Sequence, residues 1–381
     1  MRVLIAPDKF KGTLQAPAVA SAIAEGVRRA EPDAEVVLKP LADGGEGTLE
    51  ALVDAIGGRR LTATVTGPLG DAVEAPFALL DDGRAVLEVA AATGLTLVAE
   101  PRRDALRAAS FGSGELIAAA AAGGLAGAGP AELEIIVGLG GSASTDGGTG
   151  AAAAAGWRFL DATGDDLVRG GGALRRLRRI DGGGAAEWLG RCRIVGACDI
   201  DNPLHGSSGA ASVFGPQKGA SPADVEVLDE GLDVLATRIE ADLGRAVAWL
   251  PGAGAAGGIG AGLAAFFDAQ LRPGFELVAE AAGLAAAIAE ADLVITGEGS
   301  LDASSLGGKT PIGVARLARS AGVECLALAG RLGVTAEELE AEGIAAALSL
   351  SDAVGHELAV TEARASIAEA TVTLLRDRRR A

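Results

Sequence analysis

Short apolar runs alternate along this chain with longer segments of helical periodicity. Each run covers a few residues between Gly, Pro or Asp, which is typical of a buried strand. The predicted strands are Val3–Ala6, Val36–Leu38, Ile135–Val137, Leu293–Ile295, Leu326–Leu328 and Ala346–Leu348. The predicted helices are Ala16–Arg29, Gly47–Ile56, Ser113–Ala122, Pro222–Ala241, Gly274–Ala289, Pro311–Ala321 and Glu357–Leu375. Alternating strands and helices predict parallel sheets with helices on both faces.

The segment from Leu61 to Val98 breaks this alternation. Strand-like pieces at Thr62–Val65, Ala75–Leu80 and Ala85–Val89 follow one another without an intervening helix. Consecutive strands indicate a mixed sheet, so we expect a second domain to begin here.

The overall charge limits the classes of partner. The 381 residues carry a formal net charge of −18, and 49% of them are hydrophobic, enough for a sizeable core and two or three domains. Nucleic acid and anionic membranes are not expected as partners, because both would be repelled. Any anionic ligand must therefore meet a local positive group, at a glycine loop, a helix N-terminus or a lysine.

The cysteines and the N-terminus indicate a cytoplasmic protein. Cys192, Cys198 and Cys325 are too few for a disulfide framework and are expected to be reduced thiols. The chain enters a predicted apolar strand directly after Met1, so we do not expect a secretory signal. The alanine-rich stretch 117–127 is too short to span a bilayer.

Lysine is rare, and its positions are informative. Lys9, Lys11, Lys218 and Lys309 lie in or beside glycine-rich loops, whereas Lys39 does not. Arginine supplies every other basic side chain. A compact ammonium in a glycine loop suits phosphate binding as a point charge, so these four positions predict a phosphate site.

Two acidic segments follow the first two strands. Asp8, together with Lys9 and Lys11, can orient a hydroxyl group and neutralise a phosphate. In the segment 43–48, glycines separate two acids and allow a ligand to approach the backbone. The same segment also fits a tight turn before a helix, and the sequence leaves both interpretations open.

Two further loops contain candidate ligand groups. In the loop 138–148, successive backbone N–H groups can form an anion-binding nest. Asp199 follows an apolar run and is a candidate for proton abstraction or magnesium binding, presented by the turn at Asn202. Lys218 lies farther along the same region.

The segment 296–310 has the order of a phosphate-binding P-loop but not its pattern. Ala303 stands where that pattern requires glycine, and Pro311 follows Thr310 immediately. Lys309 with the acids Glu298 and Asp302 still provides groups that phosphoryl transfer uses.

Taken in order, these segments resemble the bacterial glycerate kinase family over nearly the whole chain. The stretches that carry the resemblance include APDKFKGTL at 6–14, ADGGEGT at 42–48, GLGGSASTDGG at 138–148, ACDIDNPL at 197–204, FGPQKGAS at 214–221, PGAGAAGGIGAGL at 251–263 and TGEGSLD at 296–302. The resemblance implies ATP-dependent phosphorylation of D-glycerate with Mg²⁺, with 2-phosphoglycerate favoured over 3-phosphoglycerate as the product.

The resemblance also implies an α/β fold of two domains. One is a flavodoxin-like (Rossmann-like) parallel-sheet domain, and the other is an inserted mixed α/β domain with a cleft between them. We expect residues 1–64 together with 285–381 to form the first domain and residues 65–284 the second. The segment 103–150 could belong to either.

Residue roles follow from the resemblance as expectations. For catalysis we expect Asp199 as first choice of proton acceptor, Asp8 as second, and Lys309 and Lys11 as cations. Substrate binding is assigned to Asp43, Gly44, Gly45, Glu46, Asn202 and Lys218. Nucleotide binding is assigned to Gly140, Gly141, Ser142, Asp146, Gly257, Gly258, Glu298 and Asp302. Asp302 and Glu46 are the expected Mg²⁺ ligands.

Three positions depart from the family's pattern. Ser300 stands where the family usually carries arginine, Ser304 where it usually carries glutamine, and Thr145 where asparagine is common. If that arginine binds an anionic group, affinity or specificity would differ here. A kinase for another small hydroxy acid and a catalytically silent ligand sensor remain the alternatives. The choice between the 2- and 3-hydroxyl and the oligomeric state are left open.

Overall fold

The computed structural model describes residues 1–127, 132–303 and 305–379, so Ser304 lies outside the described residues. The strands within these ranges are β1 Arg2–Ile5, β2 Glu35–Leu38, β3 Gly58–Thr66, β4 Ala72–Leu80, β5 Ala85–Glu88, β6 Leu133–Gly138, β7 Arg158–Leu160, β8 Arg179–Asp181, β9 Cys192–Ala197, β10 Gln270–Arg272, β11 Leu293–Leu301, β12 Glu324–Leu332 and β13 Ile344–Ser349.

Helices separate most of these strands. They are α1 Ala16–Ala30, α2 Thr48–Ile56, α3 Val89–Thr93, α4 Phe111–Gly127, α5 Thr149–Ala154, α6 Ala210–Phe214, α7 Pro222–Leu243, α8 Ala255–Phe266, α9 Gly274–Ala281, α10 Leu284–Ala289, α11 Thr310–Ser320, α12 Ala336–Glu342, α13 Leu350–Val354, α14 His356–Thr361 and α15 Ala363–Arg378.

The chain divides into two compact units. Unit 1 comprises Met1–Asp43 and Gly274–Ala381, and unit 2 comprises Gly44–Pro273. The strands of unit 1 form a sheet in the order β13-β12-β11-β1-β2, and every neighbouring pair in it is parallel. Counted within the unit, this is the flavodoxin-like order 2-1-3-4-5, whose switch point lies between the first and third strands. The parallel-sheet fold class is therefore confirmed.

The core of unit 1 forms because its strands are apolar throughout and its helices are apolar on one side. Val19, Ile23 and Val27 repeat at helical spacing along α1 and are fully buried. The same helix crosses α15 closely, since a Cβ on Gly26 would lie 2.4 Å from the carbonyl oxygen of Ala368. A glycine is needed at this crossing.

Unit 2 contains the second, mixed sheet, in the order β10-β9-β6-β5-β4-β3. The pairs from β10 to β5 are parallel, and β5-β4 and β4-β3 are antiparallel. The expectation of consecutive strands after Leu61 is thus met by β3, β4 and β5. A separate antiparallel pair joins β7 to β8.

The structure draws the unit boundaries differently from the expected ones at 64/65 and 284/285. The segment 44–64 lies in unit 2 because β3 pairs along its whole length with β4. At the other boundary, Phe275 lies in unit 1. Its ring packs so closely against Gly313 of α11 that a Cβ on that glycine would lie 2.2 Å from a ring carbon. Residues 103–127 and 132–150, whose assignment was open, lie in unit 2.

Two helices that were predicted as continuous are interrupted. The predicted helix at 274–289 is divided into α9 and α10 by Gly283, whose φ is 60°. The predicted helix at 357–375 is divided into α14 and α15 at Glu362, with φ −116° and ψ 35°. Apolar periodicity continued across both breaks, so it could not reveal them.

The beginning of α8 is a run of left-handed backbone. Ala256, Gly257 and Gly258 have φ values of 52°, 73° and 89°. A Cβ on Gly257 would lie 1.9 Å from the carbonyl oxygen of Ser144, and a Cβ on Gly258 would lie 2.8 Å from the Cα of Gly147. These glycines allow one backbone to pack directly against another.

This packing predicts a large loss of stability for Gly257→Ala. The matched control is Gly164→Ala. Gly164 has a similar φ of 86°, but no atom lies within 4 Å of the position that a Cβ would take there. We expect Gly164→Ala to cost roughly 1–2 kcal/mol for the left-handed backbone alone. Gly257→Ala should cost about 1–3 kcal/mol more through steric overlap, measured by urea unfolding. Equal costs would contradict the packing role.

Candidate active site

Pairing of β1 with β11 at the switch point of the unit 1 sheet brings two acids together. Ile5 is the register partner of Ile295, and the N–H of Asp8 donates to the carbonyl of Gly297 at 2.8 Å. Asp8 and Glu298 each follow their partnered isoleucine by three residues and therefore lie at the same level. This is the edge of an open parallel sheet where ligands bind.

Asp8 is buried, with 4% of its surface exposed. Its Oδ1 accepts the backbone N–H of Lys9 at 2.6 Å, and its Oδ2 accepts the hydroxyl of Thr310 at 3.1 Å. The Lys9 ammonium lies 3.6 Å from Asp8 and 3.3 Å from Asp43. Burial and the Asp43 carboxylate raise the pKa of Asp8 to about 6, although Lys9 opposes the rise.

Glu298 is the second acid of the pair. Burial raises its pKa to about 7, and the carboxylates of Asp8 and Asp43 add to the rise. A hydrogen bond from Ser305 and the charge of Lys309 oppose it. Within the described part of the chain, the buried Oε1 atom of Glu298 has no hydrogen-bond partner. Two neighbouring carboxyl groups that titrate near neutrality can hold or accept a proton, as acid–base chemistry requires.

The loop between β11 and α11 carries the remaining predicted groups of unit 1. Lys309 is half-buried and precedes the first residue of α11. Asp302 is half-exposed, and its N–H donates to the hydroxyl of Ser305 at 3.2 Å. Lys11 is solvent-exposed. Unit 1 therefore gathers Asp8, Asp43, Glu298 and Lys309, which are distant in sequence.

In unit 2 the predicted nucleotide loop is mostly buried. Gly140 is half-buried and Gly141 is exposed, but every residue from Ser142 to Gly150 is buried. Asp146 accepts hydrogen bonds from the N–H and hydroxyl of Ser110, at 2.8 and 2.9 Å, and from the N–H groups of Gly148 and Gly150. Its carboxylate oxygens thus hold the loop to the start of α5.

Lys218 is equally enclosed. It is 3% exposed, and its ammonium donates to the carbonyl of Ser144 at 2.5 Å. Burial lowers the pKa of Lys218 to about 8, and the Asp146 carboxylate opposes the shift. Gly257 and Gly258 are buried beside it. Lys218, Asp146 and these glycines form one packed junction in unit 2.

Other predicted residues of unit 2 lie closer to solvent. Asp199 and Asn202 are half-buried after β9, where the Asn202 amide donates to the carbonyl of Ser208 at 2.8 Å. Gly44 is buried, Gly45 is half-buried and Glu46 is exposed.

Sequence analysis did not select several residues that contribute contacts. Glu88, at the end of β5, accepts the N–H groups of Gly47 and Leu49 at 2.9 Å each and so caps the N-terminus of α2. In unit 1, Ser305 and Thr310 support the acidic pair together with Lys9, which was predicted as part of a phosphate site. Thr310 directly follows the predicted Lys309, whereas no local signal marked Glu88.

The described residues contain no group of three or more His, Cys, Asp or Glu side chains that could hold a metal ion. Lys9 lies between Asp8 and Asp43, where a cation would otherwise be expected. The expected ligands Asp302 and Glu46 lie in different units of the fold. Within unit 1, the described carboxylates therefore offer no cage of three protein ligands. None of the described helices is long and apolar enough to cross a membrane.

Comparisons with known proteins agree on one family. The model of the glycerate kinase family matches residues 3–378. A glycerate kinase of Halalkalibacterium halodurans is 48% identical over 349 residues, which are 91% of this chain and 90% of that protein. The glycerate 2-kinase of Escherichia coli is 45% identical over 356 residues, 93% of this chain and 92% of that protein. A Salmonella typhimurium crystal structure described as a glycerate kinase 2 aligns with a TM-score of 0.80 at 44% identity, covering 100% of this chain and 99% of that one.

The acidic pair predicts an unusual dependence of stability on pH. Asp8 and Glu298 have pKa values of about 6 and 7 in the folded chain, against 3.8 and 4.5 as ordinary values. Their raised pKa values stabilise the fold fully below pH 4, and this stabilisation is lost as the pH rises to 7. Relative to the double variant Asp8→Asn/Glu298→Gln, the parent should therefore lose on the order of 2–5 kcal/mol of unfolding free energy between pH 4 and pH 7.5.

Urea unfolding at several pH values measures this difference. The control is Asp161→Asn, because hydrogen bonds from Thr163 lower the pKa of Asp161 and leave it ionised throughout this range. Its stability difference from the parent should stay constant with pH. A constant difference for the double variant as well would contradict the raised pKa values.

Proposed function

The chain belongs to the glycerate kinase family, and from that premise we propose that it transfers the γ-phosphate of ATP to a hydroxyl group of D-glycerate. As a member of that family it is a kinase. The observation that supports this chemistry most strongly is the Asp8–Glu298 pair at the switch point of unit 1, with Lys309 beside it. Phosphoryl transfer needs a group that orients the attacking hydroxyl and cations that neutralise phosphate charge.

Asp8 is our candidate for the proton acceptor. As the glycerate oxygen forms its bond to the γ-phosphorus and the bond to ADP breaks, Asp8 takes the hydroxyl proton. Its pKa of about 6 leaves the carboxylate ionised at pH 7 yet basic enough to accept a proton. Lys9 and Thr310 hold the carboxylate in place. Asp199, the first choice from the sequence, becomes the second candidate; it is half-buried at a carboxyl strand end of the other sheet.

The cations and glycines have proposed roles in binding phosphate. Lys309 neutralises charge on the transferred group and lies at the N-terminus of α11, where backbone N–H groups also favour anions. Lys11 is exposed and is proposed as a second cation. In unit 2, the backbone N–H groups of Gly140 and Gly141 are proposed to bind the nucleotide. The buried residues Ser142, Asp146, Gly257 and Gly258 are proposed to stabilise that loop.

Glycerate recognition is proposed for Asp43, Gly44, Gly45, Glu46 and Asn202. Lys218, which is enclosed and bonded to Ser144, is proposed to hold the loop rather than to contact the substrate. Since the described residues provide no cage of protein ligands, we propose that Mg²⁺ enters bound to the phosphates of ATP. When bound there, Mg²⁺ would neutralise phosphate charge.

The product and the compartment complete the proposal. The name of the Escherichia coli relative, glycerate 2-kinase, supports transfer to the 2-hydroxyl group. The three cysteines are free and buried, which supports a reducing compartment such as the cytoplasm.

Purified protein should release ADP from MgATP only when D-glycerate is present. A coupled assay with pyruvate kinase and lactate dehydrogenase measures the release. Addition of enolase without phosphoglycerate mutase should consume the product if it is 2-phosphoglycerate. Folded protein that releases no ADP above background with glycerate, but does so with another hydroxy acid, would instead indicate the alternative substrate class.

Asp8→Asn should lower kcat by roughly 10²-fold or more, because the amide cannot accept the hydroxyl proton. The same variant should be as stable as the parent or more stable at pH 7, because the fold already favours the neutral form of this group. Asp199→Asn is the matched control and should change kcat much less. A larger loss in Asp199→Asn than in Asp8→Asn would identify Asp199 as the proton acceptor instead.

A further inference from the structure

The two longest strands of unit 1 extend past their neighbours. β11 and β12 are nine residues each, and their pairing continues as far as Leu301 and Leu332. On one side, the register of β1 with β11 ends at Ile295, followed by a further hydrogen bond from the Asp8 N–H to the Gly297 carbonyl; on the other side, β13 pairs with β12 only as far as Ala329. The last residues of β11 and β12 therefore form a two-stranded extension at the carboxyl edge of the sheet.

Ser300 and Arg331 are register partners in this extension. Partners in a parallel pair point to the same face of the sheet, on strands about 4.8 Å apart. Residues two apart on one strand also share a face, so Ser300 and Glu298 do as well. Arg331 consequently lies on the same face as Glu298, one strand away from it.

The Arg331 side chain is exposed, and within the described residues no carboxylate forms an ion pair with it. Other arginines of unit 1 do form such pairs: Arg29 with Glu369, Arg316 with Glu342 and Arg378 with Glu324.

The guanidinium of Arg331 would add a positive charge for an anionic ligand at an edge that is rich in acids. Asp8, Asp43, Glu298 and Asp302 all lie along the carboxyl edge and repel anions. Lys9, the nearest cation to Asp8, is already paired with Asp8 and Asp43. A planar guanidinium can bind two oxygens of a carboxylate or a phosphate at once, which an ammonium cannot do in the same way.

We propose that Arg331 binds an anionic oxygen group of a ligand at this edge. A guanidinium at position 300, the register partner of Arg331, would lie on the same face and at the same level of the neighbouring strand. The inference rests on the proposed function, from which its two candidate ligands, glycerate and ATP, are taken. The anionic group is either the carboxylate of glycerate or a phosphate of ATP.

Three variants test the proposal: Arg331→Ser, Ser300→Arg and the double variant Ser300→Arg/Arg331→Ser. Each is compared with the parent by KM for D-glycerate and for ATP, and by calorimetric binding of each ligand. Arg331→Ser should weaken one ligand by roughly 10- to 100-fold, the scale of a hydrogen bond to a charged group. Weakened glycerate identifies the carboxylate, and weakened ATP identifies the phosphate.

The double variant is the decisive one, because it places the guanidinium on the register partner of Arg331, on the same face of the sheet, and should bind within about threefold of the parent. The control is Arg376→Ser on α15, an exposed arginine that should leave both KM values unchanged. Unchanged binding of both ligands in Arg331→Ser would overturn the proposal. A double variant that binds as weakly as Arg331→Ser would overturn the exchange between positions 300 and 331. Absence of glycerate turnover in the parent would count against the proposed function alone, since calorimetry with ATP still compares Arg331→Ser with the parent.

Discussion

The hydrogen-bonded pairing of β1 with β11 is the constraint on which the candidate site depends. It joins residues 290 apart in sequence, as in the bond from the Thr296 hydroxyl to the carbonyl of Ala6. Its register leaves Asp8 and Glu298 side by side where both strands end. Two neighbouring carboxyl groups in a buried setting are unfavourable when both are ionised, and the raised pKa values express that cost. The apolar core beneath the sheet, which includes Val3, Ile5 and Ile295, offsets it.

Unit 2 shows how similar residue types serve a different purpose. Glycines next to acids and lysines are as typical of a close backbone junction as of a phosphate loop. Asp146 and Lys218 both direct their charges at backbone groups of their own unit. The glycines at 257 and 258 fill the remaining space with backbone alone. Burial distinguishes such a junction from an open loop, and burial depends on the tertiary structure.

The sequence was sufficient to predict the fold class and most strands, because a short buried strand between glycines is a local signal. Helix continuity was harder to predict, since apolar periodicity runs through the breaks at Gly283 and Glu362. The five segments with candidate chemistry were found, but not which of their acids converge. That depends on the β1–β11 register, which no local pattern encodes. Thr310 and Arg331 were not selected for the same reason, because their importance comes from a neighbouring strand or loop.

The most direct test of this account is a carbon-detected NMR titration of the side-chain carboxyl groups in the full chain, with Asp8→Asn and Glu298→Gln used to assign the two signals. The account predicts two carboxyl groups that titrate near pH 6 and pH 7. It also predicts that Asp8→Asn shifts the midpoint of Glu298 to lower pH, because a neighbouring negative charge has been removed. Midpoints below pH 5 for both groups, unaffected by substitution of the partner, would contradict the coupled acidic pair at the switch point.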